Sequence, residues 1–149
     1  MKTGDICNRE VVFIQREASV FEAASLMREH HVGDLVVMEE KHGRRTPVGI
    51  LTDRDIVLEV IAEGVDLGGV VVGDIMSFEL TTAGEDDDLF DTVKRMRTKG
   101  IRRLPVVDRA GALVGIVTVD DLLDLLAEQV SDLARIIQRE QTRERERRR

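Results

Sequence analysis

The chain is built twice. The stretch "GDIC" (Gly4 to Cys7) returns as "GDIM" (Gly73 to Met76), 69 residues on, and the same offset carries Phe21 to Phe90, Met27 to Met96 and Leu35 to Leu104. Further along, "GILTDRD" (Gly49 to Asp55) meets "GIVTVDD" (Gly115 to Asp121) at an offset of 66, so the first copy holds three extra residues. The polar stretch "EEKHGRRT" is where a turn would take them in. A period near 70 is too long for the common solenoid repeats. Two copies imply one duplicated unit with pseudo-twofold symmetry.

Each copy carries the same run of signals. A short β-prone stretch comes first, "VVFI" from Val11 and "LTT" from Leu80. A helix follows, opened by Ser19 with Glu22 three residues on, and by Asp88 with Asp91 in the same places. Its apolar face reads Val20, Ala23, Ala24 and Met27 in the first copy, and Leu89, Val93 and Met96 in the second. Two strands then form a hairpin, "LVVM" with "VGIL" and "LPVV" with "LVGIV", the second joined by the turn-forming "DRAGA". A second helix closes each copy. The fold class is therefore α+β, with two tandem β-α-β-β-α repeats packed about a pseudo-twofold axis and a long C-terminal helix. The expected divisions are residues 1–67, 68–128 and 129–149, with the glycine-bearing "EGVDLGGVVVG" as linker. A repeat of about 65 residues has a marginal core alone, so the two sheets should pack together and leave a cleft for a ligand.

Composition narrows the function. Of 149 residues, 42% are apolar and 34% charged, as in a packed globular chain. No apolar run approaches the roughly 20 residues of a membrane span, and "MKTGDICNRE" lacks a signal-peptide core, so a cytoplasmic location is expected. The formal charge of −7 points away from nucleic acid. Cys7 is the only cysteine and reads as a small buried side chain. The acidic run "EDDD" (Glu85 to Asp88) reads as a solvated turn leading into the Asp88 cap, and His30, His31 and His42 as surface residues beside turns. No nucleophile elbow, P-loop or dinucleotide fingerprint occurs, and no enzyme activity, metal or cofactor is expected.

The "GDI(C/M)" segments, the "RRLPVVD" strand and a Gly-h-h-Thr-x-x-Asp segment in each copy (h aliphatic) together resemble a tandem pair of CBS domains, the modules named after cystathionine β-synthase. The resemblance covers residues 4 to 128. It implies a disc-like regulatory module that binds an adenine nucleotide or related adenosyl ligand between its repeats, pairs as a homodimer and regulates another protein. A structural dimerisation or adaptor module with degenerate pockets is the alternative.

The Thr-x-x-Asp segments admit two readings. Threonine at an N-cap with an acid three residues on is close to a capping box. The same Thr hydroxyl can donate to a phosphate, and an ionised Asp can accept from two ribose hydroxyls. The resemblance assigns Thr52 and Asp55 to one pocket, Thr118 and Asp121 to the other. In the second copy Arg102 and Arg103 add phosphate donors, one of them facing the cleft, and Pro105 leaves backbone groups open to a base. The first copy has Gly33, Asp34 and Val36 in those places, and Asp34 disfavours phosphate unless a cation or an arginine compensates. Arg54, with Arg44 and Arg45 nearby, is its candidate cation. Without Trp or Tyr, a base would need an aliphatic slot, for which Val12, Val36, Thr82 and Val106 are candidates. Two unequal sites are expected.

The last helix carries apolar residues at Val119, Leu122, Leu126, Val130, Leu133 and Ile137, in steps of three and four. The stripe outlasts the repeat by two turns, so its second half should be buried against a symmetry mate or a partner. The arginine-rich "RERERRR" end reads as a solvated extension.

Overall fold

A computed structural model describes residues 1–148 and divides into two compact units, Met1–Val117 and Thr118–Arg149. The first holds two three-stranded sheets. One runs β1 (Phe13–Gln15), β2 (Asp34–Lys41), β3 (Arg44–Thr52), the other β4 (Ala83–Gly84), β5 (Arg103–Val107), β6 (Leu113–Thr118), each in that spatial order. Helix α2 (Val20–His30) crosses from β1 to its parallel neighbour β2, and α5 (Leu89–Lys99) does the same between β4 and β5. The second unit is the single helix α6 (Val119–Arg147) with its Thr118 cap.

Both crossover helices start as their sequences require. The Ser19 hydroxyl accepts the Glu22 N–H while the Glu22 carboxylate accepts the Ser19 N–H, and Asp88 accepts the N–H groups of Phe90 and Asp91. They end alike too, on a left-handed residue, His31 (φ 55°) and Gly100 (φ 66°), which are equivalent under the repeat. The buried face differs from the expected one at equivalent places. Ala24 and Val93 lie outside the core; Ala23 is buried as expected, and in the second copy the equivalent Thr92 is fully buried in place of Val93. Thr92 is tolerated because its hydroxyl meets that of buried Thr3 at 2.8 Å.

That contact belongs to an exchange of segments. The stretch "GDIC" forms a one-turn helix, α1 (Thr3–Ile6), that docks on the second repeat, where Thr3 and Gly4 N–H donate to the carbonyls of Asp87 and Glu85. Its counterpart "GDIM" forms α4 (Val72–Ile75) and docks on the first repeat, where Val72 and Gly73 N–H donate to Ala18 and Arg16. Each exchanged segment then bridges the last strand of the repeat it has joined, Asn8 to Ile116 and Ser77 to Ile50. The glycines of both motifs make room for this. A Cβ on Gly49 would lie 2.7 Å from the Ser77 carbonyl oxygen, and one on Gly115 would lie 2.6 Å from Cys7 Sγ and 2.9 Å from the Asn8 carbonyl oxygen. Val72 and Met76 enter the first repeat's core beside Leu35 and Leu51, while Val36, Met38 and Ile116 join the repeats directly.

Three local expectations are corrected. The strands at "VVFI" and "LTT" begin later, at Phe13 and Ala83. The stretch "EEKHGRRT" is mostly strand, and only His42 and Gly43, both at positive φ (52° and 74°), make the two-residue turn that such hairpins favour. The "EDDD" run is not merely solvated: Asp86 pairs with Lys2 at 2.7 Å and Arg109 at 3.2 Å, and Asp87 holds the Gly84 N–H and Arg95. The "EGVDLGGVVVG" linker is itself ordered by a 3-10 turn (Leu67–Gly69) capped by Asp66, and it buries Val70 and Val72.

Backbone cannot yield as a long side chain can. Gly49→Ala and Gly115→Ala are each expected to cost about 1–3 kcal/mol in urea denaturation. Gly69→Ala, with nothing within 4 Å of the added methyl, should stay within about 0.5 kcal/mol of wild type.

Candidate ligand-binding cleft

The segment exchange opens a cleft at the join. Ser77 bridges Ile50 of β3, and residues from Ser77 to Thr81 line a cavity together with the end of β3 and the residues leading into β5. The resulting cavity, about 270 Å³, is lined by Thr52 and Asp55 of the first repeat, by Glu79 and Thr81, and by Arg102 and Arg103 of the second. Ile50, Leu80 and Ile101 supply its apolar wall. The Thr-Asp pair of one repeat and the arginines of the other, far apart in sequence, thus meet in one place.

Thr52 and Asp55 form a complete capping box. The Thr52 hydroxyl accepts the Asp55 N–H at 3.1 Å, and Asp55 Oδ2 accepts the Thr52 N–H at 2.9 Å. Among the described residues Asp55 Oδ1 has no protein donor. Thr118 and Asp121 make the same box at the start of α6, with the Thr118 hydroxyl also 2.8 Å from Asp121 Oδ2.

The arginines differ. Arg103 Nη1 lies 2.8 Å from Asp34 Oδ1 and both side chains are half-buried, so Asp34 has its compensating cation and Arg103 is committed to it. Arg102 is exposed and has no ion pair among the described residues. Arg54 is exposed in the first turn of α3 (Asp53–Ile56), outside the cavity lining, and Arg45 stacks on Phe13, 4.7 Å from the ring centre.

Pro105 shapes the cleft through the donor it lacks. In the first repeat Val36 N–H donates to the Val12 carbonyl at 3.2 Å, just ahead of β1. The equivalent positions in the second repeat are Pro105 and Thr81. Proline has no N–H, so the pairing of β4 with β5 begins one residue later, at Ala83 with Val106. This is why "LTT" is not a strand, and it leaves the Thr81 carbonyl without a strand partner at the cavity. β5 is a central strand, and its proline is accommodated by this interruption. The other proposed slot residues lie elsewhere. Val36 and Val106 are buried in strands, Val12 packs against the first repeat's core, and the Thr82 carbonyl accepts from Arg95 at 2.8 Å. Ser77, Glu79 and Thr81 escaped the sequence reading, and only the recurrence of "GDI" ahead of them marks where they fall.

The arrangement defines a class: a duplicated α+β module, interlocked by exchanged segments, with a mixed polar and apolar cleft between its halves. The CBS-domain family model matches residues 4–62 and 72–128, and the chain belongs to that family. It is 40% identical over 125 residues to an uncharacterised protein, MK0525, of Methanopyrus kandleri, covering 84% of this chain and 62% of that one. It is also 40% identical over 118 residues to the CBS domain-containing protein YhcV of Bacillus subtilis, covering 79% and 80% of the two chains. The fold matches the CBS domain pair of protein MJ0100, solved in complex with 5′-methylthioadenosine and S-adenosyl-L-methionine, with a TM-score of 0.73 at 29% identity over 87% of this chain and 98% of that one. No helix among the described residues is long and apolar enough to cross a membrane.

Burial is the largest influence on the Asp34 carboxyl and pushes its pKa up; the Arg103 guanidinium pulls it back, and the Asp53 carboxylate adds to the rise. The folded-state value lies above the unfolded one, so the folded chain retains this proton over a window that opens at the ordinary value of 3.8 and extends upward. As pH rises through that window the buried group ionises and stability is lost. Asp34→Asn, which mimics the protonated group, should therefore gain stability relative to wild type between about pH 3.5 and pH 7. Urea denaturation at both values measures this, and a relative loss instead would mean that the attraction of Arg103 outweighs burial.

Proposed function

We propose that the chain is a regulatory module that takes an adenosine-containing ligand in the cleft between its repeats and works as a homodimer. The observation that carries the reading is the carbonyl of Thr81, left without a strand partner by Pro105, on a residue that lines one cavity with Ile50, Leu80, Ile101 and Asp55. That carbonyl suits the amino group of an adenine seated against Ile50, Leu80 and Ile101. Asp55 Oδ1 suits the ribose hydroxyls, with its capping role undisturbed because that bond uses Oδ2. The Thr52 hydroxyl and Arg102 suit phosphate, and their distance in kind from Asp55 lets each touch a different part of one ligand. The related CBS pair solved with two adenosyl compounds supports the same ligand class. Regulation of a further protein follows if the ligand favours one arrangement of the repeats over another, since only differential affinity shifts such an equilibrium.

The ion pair between Asp34 and Arg103 favours a second reading, an adaptor whose pockets no longer bind nucleotide, because it removes one of the two arginines from phosphate recognition. Calorimetry with AMP, ATP, S-adenosylmethionine and 5′-methylthioadenosine separates the two. Asp55→Ala should weaken every ligand by about tenfold or more, whereas Arg102→Ala should do so for AMP and ATP and spare uncharged 5′-methylthioadenosine. Silence of the wild type across the panel favours the adaptor.

A further inference from the structure

Helix α6 carries an apolar seam that nothing within the helix covers. Leu123, Leu126, Val130, Leu133 and Ile137 follow one another in steps of three, four, three and four, and each is 56% to 63% exposed. This is the spacing of a two-helix seam, with Leu123, Val130 and Ile137 at a positions and Leu126 and Leu133 at d. The flanking e positions are small, Ala127 and Ala134, and the g positions are Gln129 and Ile136. The charges of the same stretch, Asp124, Glu128, Asp132 and Arg135, all fall on the outer b, c and f positions.

We propose that α6 pairs antiparallel with α6 of a second copy of this chain, Leu123 against that copy's Leu133 and Leu126 against its Val130. Two observations select this occupant and this direction. In the antiparallel register e positions meet e positions and g meet g, so Ala127 lies beside its own counterpart, Gln129 beside Gln129, and apolar Ile136 beside Leu122. A parallel pair would set Ile136 against polar Gln141. The charge along the helix is also segregated. Residues 119–134 hold five acids and no base, whereas 135–149 hold seven arginines and three glutamates. Parallel pairing lays like on like along the whole length. Antiparallel pairing holds the two basic ends at least about 20 Å apart at about 1.5 Å per residue and sets the turn bearing Arg135 and Arg139 alongside the second copy's Asp120 and Asp121.

The inference rests on the homodimer reading above and is independent of the ligand. Sedimentation of the full chain should show a dimer, and Leu126→Glu combined with Leu133→Glu should weaken it by about a hundredfold or more. Both positions are exposed, and circular dichroism checks that the helix persists. Under mild oxidation, Leu123→Cys mixed with Leu133→Cys should form covalent dimers, while either variant alone stays at the level of the wild type, which carries only Cys7. A covalent dimer from each single variant alone would mean parallel pairing. A monomeric wild type would assign the seam to a different partner, and a dimer unmoved by the glutamates would place contact on another face. Each of these three results overturns the proposal, and none alters the calorimetric result for the cleft.

Discussion

The two exchanged segments hold the structure together. Each is a one-turn helix and a short extended run that leaves its own repeat and completes the other, by backbone donors at Thr3, Gly4, Val72 and Gly73 and by the strand bridges at Asn8 and Ser77. A repeat without its visitor would expose core contacts such as Leu35 and Leu51 with Val72 and Met76. The two repeats therefore share one core, and residues from Met1 to Val117 form a single compact unit. The exchange also decides where the cleft forms. The cleft lies where the visiting segment of the second repeat runs past the last strand of the first, so its walls necessarily come from both.

Much of this was legible because backbone demands leave marks in sequence. At Gly4, Gly73, Gly49 and Gly115 a side chain would press on the main chain of another segment, and these recurrent glycines stand out as motifs. The caps at Ser19, Asp88, Thr52 and Thr118 are local, three-residue chemistry and were readable for the same reason. What resisted reading depends on partners distant in sequence. Thr92 is buried because its hydroxyl finds Thr3, 89 residues away, and no helical periodicity predicts a polar core residue with so remote a partner. The shift of β4 to Ala83 depends on an N–H that Pro105 lacks, so the irregularity of one strand is written in another. The acidic "EDDD" run looked solvated because its cation partners, Lys2 and Arg109, lie in other segments. Arg102 and Arg103 belong to the second repeat in sequence and to the first repeat's Thr-Asp pair in space, and only the exchange reveals it.

The ion pair of Asp34 with Arg103 explains why the two repeats cannot be equivalent. The positions are 69 residues apart, so under the internal symmetry each is the image of the other, and they meet across the pseudo-twofold axis. Two identical repeats would bring like charges together at 2.8 Å, and half-buried like charges repel strongly. An acid on one side and a base on the other relieves this and fixes a difference at the mouth of the cleft. The neighbouring positions diverge in step. Arg102 is free to face solvent, but its image Gly33 has no side chain, accepts the Asp53 N–H at its carbonyl, and would press a Cβ to within 3.2 Å of the Asp53 carboxylate. Val36 keeps the strand bond that its image Pro105 gives up. Charge, space and backbone pairing thus all break the symmetry in the same short strand: the charge break commits Arg103 to Asp34, while the other two leave Arg102 and an unpaired Thr81 carbonyl on the side of the cleft that holds Thr52 and Asp55.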